Sequence, residues 1–235
     1  MEALEMDWQL PVFNVKTSSD HRSRSVQAKR ALSPEEAYTF IAGDDPRPLL
    51  VLRECLTCTG TDDALLTRAA DNEKTMLMSR WFHCVKLPPA VIEEDHPFHN
   101  LFPSKDPGHL FVAQVDGSNR LDLNGQQSRT ELWNVMGQTL VSRYEKKPGH
   151  EKTLKSLLKL LDRYDVIDEK MAALREKIDR AIEKDGLKSK KLSKLQAELA
   201  KLEKAHAQFL KEAIAVSQLK LREAARAGEP VPQQG

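Results

Sequence analysis

The chain has 235 residues, of which 40% are hydrophobic and 30% are charged, enough for one ordinary domain with an extension or for two small domains. It contains no apolar run of membrane-spanning length, and its acidic start, MEALEMDWQL, lacks the basic and apolar regions of a signal peptide. These features argue against a membrane span and lead us to expect a cytoplasmic protein.

The formal net charge of +1 conceals an asymmetry between two parts of the chain. Residues 1–145 carry 15 Lys/Arg and 21 Asp/Glu, whereas residues 146–226 carry 21 Lys/Arg and 13 Asp/Glu. A basic surface can meet an acidic protein, a membrane or a nucleic acid, but solvated lysines are ordinary on the outer faces of coiled coils. Nucleic acid is therefore not among the partners we expect.

Residues 1–32 are predicted to form an extended segment followed by a linker. The short apolar run from Trp8 to Val15 contains Pro11, which favours a strand at the edge of a sheet over a central one. The polar stretch that follows, Lys16 to Arg30, is rich in Ser and Arg and is typical of an exposed linker.

The first predicted helix opens the globular domain, which we place at residues 33–147. Ser33 is a good N-cap residue, Pro34 suits the first helical position, and Glu36 can complete a capping box with Ser33. The helix should end near Gly43.

A buried strand and two of the three cysteines follow. The apolar run from Pro48 to Arg53 has the length and continuity of a strand covered on both faces. It leads directly into Cys55-Leu56-Thr57-Cys58, and this C-x-x-C spacing is the strongest chemical signal in the chain. Cys84 lies in another predicted strand, where a buried apolar role is favoured.

The middle of the domain is predicted to contain two short helices, over 62–70 and over 72–80. The second should be anchored by Met76, Leu77 and the following Trp81. A strand over 82–87 stops at two prolines.

The domain should close with a strand pair and a helix. Residues 109–115 are predicted to form a buried strand, and the Asp116-Gly117 turn should return the chain as an antiparallel strand over 120–123. Ser128 then caps a helix with apolar residues on one face, namely Leu132, Val135, Met136, Leu140 and Val141. This order of elements predicts an α/β sandwich with a mixed central sheet.

With the C-x-x-C placed between a buried strand and a helix, the segment from Pro48 to Tyr144 resembles the thioredoxin fold. The resemblance implies that Cys55 is the nucleophile that attacks a substrate disulfide, and that Cys58 resolves the mixed disulfide. A helix N-terminus would lower the pKa of the Cys55 thiol. The family pattern differs here in three places: Glu54 precedes Cys55, Leu49 stands six residues before Cys55 where the family often has a buried aspartate, and Pro107 lies one or two positions early for the proline before the fourth strand.

Three interpretations of the cysteine pair stay open: disulfide exchange, a scaffold without redox turnover, and metal binding. Two cysteines with one or two histidines can complete a zinc or copper(I) site, and four histidines lie in the following segment: His83, His96, His99 and His109. Their spacing is not that of a zinc finger, so we assign no metal ligand and no cofactor. The protein is therefore either a thiol-disulfide oxidoreductase or a non-catalytic adaptor.

Residues 151–226 are predicted to form a long antiparallel helical hairpin of the coiled-coil type, which turns at Gly186. Its first helix carries two heptad positions, occupied by Leu157, Tyr164, Met171 and Ile178 and by Leu160, Ile167, Leu174 and Ala181. In the second helix the positions are occupied by Leu192, Leu199, His206 and Ala213 and by Leu195, Leu202, Phe209 and Val216.

Additional apolar residues widen the stripe beyond what two helices need, at Leu154, Leu158, Leu161, Leu210 and Ile214. A second apolar face requires a partner, so the hairpin is predicted to dock on the globular domain, to bind another protein or to form a homodimer, and the homodimer is favoured. His206 in a core position is expected to set the register. Residues 227–235 are predicted to be a disordered tail.

Overall fold

The computed structural model describes residues 6–12, 30–55, 64–66, 72–104, 106–186 and 190–222. The chain divides into two compact units, one containing Glu151–Leu219 and the other containing the sheet together with residues 220–222.

The sheet-containing unit is built on a mixed five-stranded sheet. In chain order its strands are β1 (Trp8–Gln9), β2 (Leu49–Arg53), β3 (His83–Leu87), β4 (Leu110–Ala113) and β5 (Leu121–Leu123). They lie side by side in the order β1-β3-β2-β4-β5. β3 is parallel to both β1 and β2, whereas β4 is antiparallel to β2 and β5 is antiparallel to β4. The predictions of a mixed sheet and of an edge strand near the start of the chain are confirmed.

Within the described residues, three α-helices belong to this unit: α1 (Pro34–Ala42), α2 (Glu73–Ser79) and α3 (Arg129–Arg143). Short 3₁₀ turns at Pro89–Ile92 and His99–Leu101 lie between β3 and β4. Hydrogen bonds between Ser33 and Glu36 cap the start of α1. Ser33 Oγ accepts a hydrogen bond from Glu36 N at 3.2 Å, and the Glu36 carboxylate accepts one from Ser33 N at 2.8 Å, which confirms the predicted capping box.

All five residues of β2 are buried, as its continuous apolar run predicts. One face of the sheet packs on α1 and the 3₁₀ turns through a core that contains Tyr38, Ile41, Leu49, Val51, Val85, Leu87, Phe98, Phe102 and Phe111. Successive strand residues point to opposite faces, so Leu50 and Leu52 lie on the other face of β2.

The predicted anchors of α2 need a correction. Met76 and Leu77 are only half-buried, while Met78 is 2% exposed and Trp81 is buried. The helix is therefore rotated so that Met78 faces the core. The predicted helix over 62–70 lies mostly outside the described residues.

The predicted apolar face of α3 is wrong at one position. Val141 is 49% exposed, although Leu132, Met136 and Leu140 are buried as expected. Arg143 is buried instead, because its Nε–H donates to the carbonyl of Pro46 at 2.9 Å. Arg143 follows Leu140 by three residues and so continues the buried face of α3, where this tertiary hydrogen bond holds it.

The second unit contains two long helices, α4 (His150–Asp185) and α5 (Lys190–Ser217). Their predicted heptad positions are buried or half-buried throughout, but the two helices differ. On α4 the fully buried positions are Leu157, Leu160, Ile167, Met171, Leu174 and Ala181, whereas on α5 only Leu192 among the register residues is fully buried.

Side chains link the two long helices at three described pairs. His206 Nε2 lies 3.3 Å from Asp168 Oδ1, and its ring centroid lies 4.2 Å from that of Tyr164. Arg175 and Glu203 form an ion pair at 3.8 Å. The polar residue in the predicted core register is therefore hydrogen-bonded and stacked, which offsets the desolvation of its imidazole.

α5 ends at Ser217, before Arg226, where the sequence pattern placed the end of the helical segment. The chain then returns to the sheet-containing unit. Leu221 forms an antiparallel bridge with Tyr144, Glu145 N donates to Lys220 O at 2.8 Å, and Arg222 Nε donates to Tyr144 O at 2.9 Å.

Candidate functional site

Cys55 lies just beyond the end of the central strand β2. The backbone N–H of Glu54 donates to Leu87 O at 2.9 Å, so the ladder to β3 extends past Arg53. Alternate residues of an extended chain point to the same side, which brings Arg53 and Cys55 onto one side of the strand end. Cys55 is half-buried and disulfide-bonded. Cys58 and the predicted helix start after Cys55 lie outside the described residues.

Cys84 is a different kind of thiol. It is free, 3% exposed, and its Sγ–H donates to Ser79 O at 3.5 Å. Burial raises the pKa of the Cys84 thiol to about 12. The prediction of a buried apolar role for Cys84 is confirmed, and at neutral pH this thiol is protonated and unreactive.

Arg53 is a buried cation two residues before Cys55. Its side chain is almost enclosed, with 6% of the residue exposed. Nη2 donates to Pro107 O at 3.0 Å and contacts His109 Nδ1 at 3.0 Å, and the guanidinium carbon lies 6.0 Å from the centre of the Phe102 ring. Its buried Nε has no hydrogen-bond partner within the described chain. Burial lowers the pKa of Arg53 and the Asp106 carboxylate raises it, but a guanidinium stays charged in proteins.

The contact with Arg53 fixes the tautomer of His109. A guanidinium can only donate, so His109 Nδ1 must accept, and the neutral ring then carries its proton on Nε2. Burial, followed by the charge of Arg53, lowers the pKa of His109 below 6.5. Both effects favour the neutral form of the ring.

Two glycines leave room for the His109 segment. Gly125 has a φ of +91°, and a Cβ added there would lie 3.1 Å from the His109 ring. A Cβ on Gly108 would lie 2.7 Å from the backbone oxygen of Leu123, closer than real Cβ contacts allow. The start of β4 can therefore approach the loop after β5 only because both positions are glycine.

The loop between β5 and α3 also contacts the segment that follows the cysteines. Gln127 Nε2 donates to Ala64 O at 2.6 Å, and Gln127 Oε1 accepts from Gly125 N at 2.8 Å. One amide side chain therefore connects this loop to residues 64–66. Sequence reasoning missed Gln127, which carries no motif signal.

Two of the histidines considered as metal ligands, His83 and His96, have separate partners. His83 Nδ1 lies 3.0 Å from Asp45 Oδ2 and its Nε2 lies 2.9 Å from Ile41 O, while His96 Nδ1 accepts from Phe98 N at 3.2 Å. Across the described ranges, no group of three or more His, Cys, Asp or Glu residues is arranged to hold a metal ion.

Sequence motifs therefore identified only part of the candidate site. Cys55 came from the C-x-x-C spacing, whereas Arg53 and His109 were not assigned to a site. The one signal for Arg53 was a charged residue at the end of an otherwise apolar strand. Among the described residues the cis peptide bond is Lys147–Pro148, so Pro107 does not provide one beside Cys55.

Comparison of the chain with protein-family models, with curated protein sequences and with solved structures gives no match. In the part of the chain that the structure describes, no helix is both long and apolar enough to cross a membrane.

Proposed function

We propose that the chain is a thioredoxin-like protein that performs thiol-disulfide exchange through Cys55 and Cys58 on a partner protein. The observation that carries this proposal is a half-buried, disulfide-bonded Cys55 at the end of the central strand, with the buried Arg53 cation two residues away. The order of strands and helices around it, on which the resemblance to thioredoxin rests, also supports the proposal.

The reaction has two exchange steps. The Cys55 thiolate attacks one sulfur of a partner disulfide, which forms a mixed disulfide and releases the other partner sulfur as a thiolate. The Cys58 thiolate then attacks the Cys55 sulfur and releases the second partner thiolate. The partner gains two electrons and takes up two protons, and the protein loses two electrons as the Cys55–Cys58 disulfide forms.

The test uses a protein disulfide and a small dithiol. Reduction of insulin by dithiothreitol should be accelerated by the wild-type protein and not by Cys55→Ser or Cys58→Ser. Cys84→Ala is the matched control, because the Cys84 thiol is buried and protonated, and it should retain the activity. Equal acceleration by wild type and Cys55→Ser would contradict the proposal.

The long helices serve this function as a binding arm in the form of an antiparallel coiled-coil hairpin. The pairing of Tyr164 and Asp168 with His206, and of Arg175 with Glu203, supports an antiparallel arrangement, because positions later in α4 meet positions earlier in α5. The arm recruits the partner whose disulfide Cys55 attacks.

A second candidate function, a non-catalytic adaptor or a homodimer that uses the same arm, is favoured by exposed apolar residues on α5. Leu210 and Ile214 are 50% and 55% exposed and lie one helical turn apart. Sedimentation equilibrium should detect a dimer of the wild-type chain and a monomer of Leu210→Lys/Ile214→Lys. A monomeric wild type would exclude the homodimer, and partner binding that survives Cys55→Ser would favour the adaptor.

A further inference from the structure

The buried guanidinium of Arg53 needs an explanation, because buried charges are normally paired with an opposite charge. Its hydrogen bonds go to the carbonyl of Pro107 and to His109 Nδ1, both uncharged acceptors. Its Nε is enclosed and has no hydrogen-bond partner among the described residues. The positive charge is therefore hydrogen-bonded but not neutralised by the groups that hold it.

We propose that Arg53 is a positioning residue whose charge, which is hydrogen-bonded only to uncharged acceptors among the described residues, stabilises the thiolate of Cys55. This inference rests on the proposed function only in taking Cys55 as the reactive cysteine. The backbone supports it, because residues two apart in an extended chain lie on the same side at a separation of about 7 Å. The side chain of Arg53 is fixed at its far end by Pro107 and His109, so its charge stays near the strand end.

The carboxylates near Cys55 oppose Arg53 only weakly. The side chain of Glu54 is 41% exposed and lies 4.0 Å from Lys86 Nζ, so solvent and a lysine both reduce its effect on the thiol. Asp106 is exposed as well. A buried charge is screened less than exposed ones, so the field of Arg53 dominates at Cys55.

His109 contributes by remaining uncharged. A protonated imidazole could not accept from Arg53, and a carboxylate in its place would cancel the arginine charge. The neutral ring satisfies one guanidinium N–H and leaves the positive charge available to Cys55. The neutral His109, just before β4, thus determines how strongly the charge of Arg53 acts on the Cys55 thiol.

The experiment measures the pKa of the Cys55 thiol in the reduced full-length chain carrying Cys58→Ser. Alkylation by iodoacetamide is followed from pH 5 to pH 10 and quantified on the Cys55 peptide by mass spectrometry. Cys84 does not interfere, because its thiol pKa of about 12 keeps it protonated over this range. We expect a Cys55 pKa below the ordinary value of about 8.5.

Two substitutions separate charge from geometry. Arg53→Gln keeps a donor for Pro107 O but removes the charge, and it should raise the pKa of Cys55 by about one pH unit. Arg53→Lys keeps the charge, and the pKa should stay within a few tenths of a unit of the unsubstituted protein. Arg80→Gln, at an exposed position before β3, is the matched control and should have no effect.

An unchanged pKa in Arg53→Gln would overturn the proposal, and so would equal shifts in Arg53→Gln and Arg53→Lys. If Arg53→Gln fails to fold, a Cys55 pKa at or above about 8.5 in the Cys58→Ser protein overturns it, and a lower value supports it. Alkylation needs no partner disulfide. Failure of insulin reduction with the pKa shift intact would therefore contradict the exchange function and leave the role of Arg53 standing.

Discussion

The two arginines that flank the central strand β2 lie in opposite electrostatic settings. Before the strand, Arg47 donates from Nε to both carboxylate oxygens of Asp45, at 3.1 and 3.0 Å, and from Nη1 to Arg80 O at 3.0 Å. At the other end, Arg53 is more deeply buried and meets only neutral acceptors. The first arrangement compensates the charge and supports the fold, whereas the second leaves the charge in place beside Cys55.

The amino end of β2 is a closed network. Asp45 accepts from Arg47 and contacts His83 Nδ1 at 3.0 Å, and the Tyr144 hydroxyl donates to Trp81 O at 2.7 Å. Such satisfied groups hold neighbouring segments together without leaving charge for chemistry. The comparison teaches that pairing, and not burial alone, separates a structural arginine from one available to a site.

The largest expected effect comes from breaking the paired end. Asp45→Asn removes the charge that Arg47 faces, and the free energy of unfolding should fall by about 2 kcal/mol because the partly buried Arg47 guanidinium is left without its carboxylate. Urea denaturation measures the change. Asp44→Asn, at an exposed neighbouring position, is the control and should change stability by less than about 0.5 kcal/mol.

The paired end should also give the protein an acid-sensitive stability. Burial acts to raise the pKa of Asp45, but the hydrogen bonds and charge of Arg47 outweigh it and hold the pKa below 3.8. This contribution to the unfolding free energy is present above pH 3.8 and is lost as the pH falls through the lower folded-state pKa. Denaturation of wild type and Asp45→Asn between pH 2 and pH 6 should show a flatter curve for the variant, and parallel curves would exclude Asp45 as the source.

The unpaired end should also lose stability as the pH falls, but at higher pH values than Asp45 and through a smaller effect. Burial, and then the charge of Arg53, depresses the pKa of His109 below 6.5, so protonation favours the unfolded chain. Stability should fall by less than about 1 kcal/mol as the pH is lowered from about 7.5 to 5.5. His109→Asn should remove this slope in urea denaturation, and an unchanged slope would assign it to another group.

Much of the fold could be predicted because its signals are local. The capping box at Ser33 and the apolar run of β2 lie within a few consecutive residues, and both are present in the structure. The burial of Arg143 was missed because it depends on a hydrogen bond to Pro46, which lies 97 residues earlier in the chain. Hydrophobic periodicity within one helix carries no information about contacts with residues so far away in the sequence.

The candidate site was less predictable because its contacts join residues that lie far apart in the sequence. Cys55 was identified by its spacing from Cys58, which is a local pattern. Arg53 acquires its environment from Pro107 and His109, 54 and 56 residues later, through the pairing of β2 with β4. No pattern around Arg53 in the sequence distinguishes it from an ordinary charged residue at a strand end.

The most direct test of the contrast between the two arginines applies one substitution to both. Arg47→Gln and Arg53→Gln are made in the Cys58→Ser chain, and the pKa of the Cys55 thiol is measured by alkylation for each. Arg53→Gln should raise that pKa by about one pH unit, whereas Arg47→Gln should leave it unchanged. Equal shifts in the two variants, or no shift in either, would contradict the account.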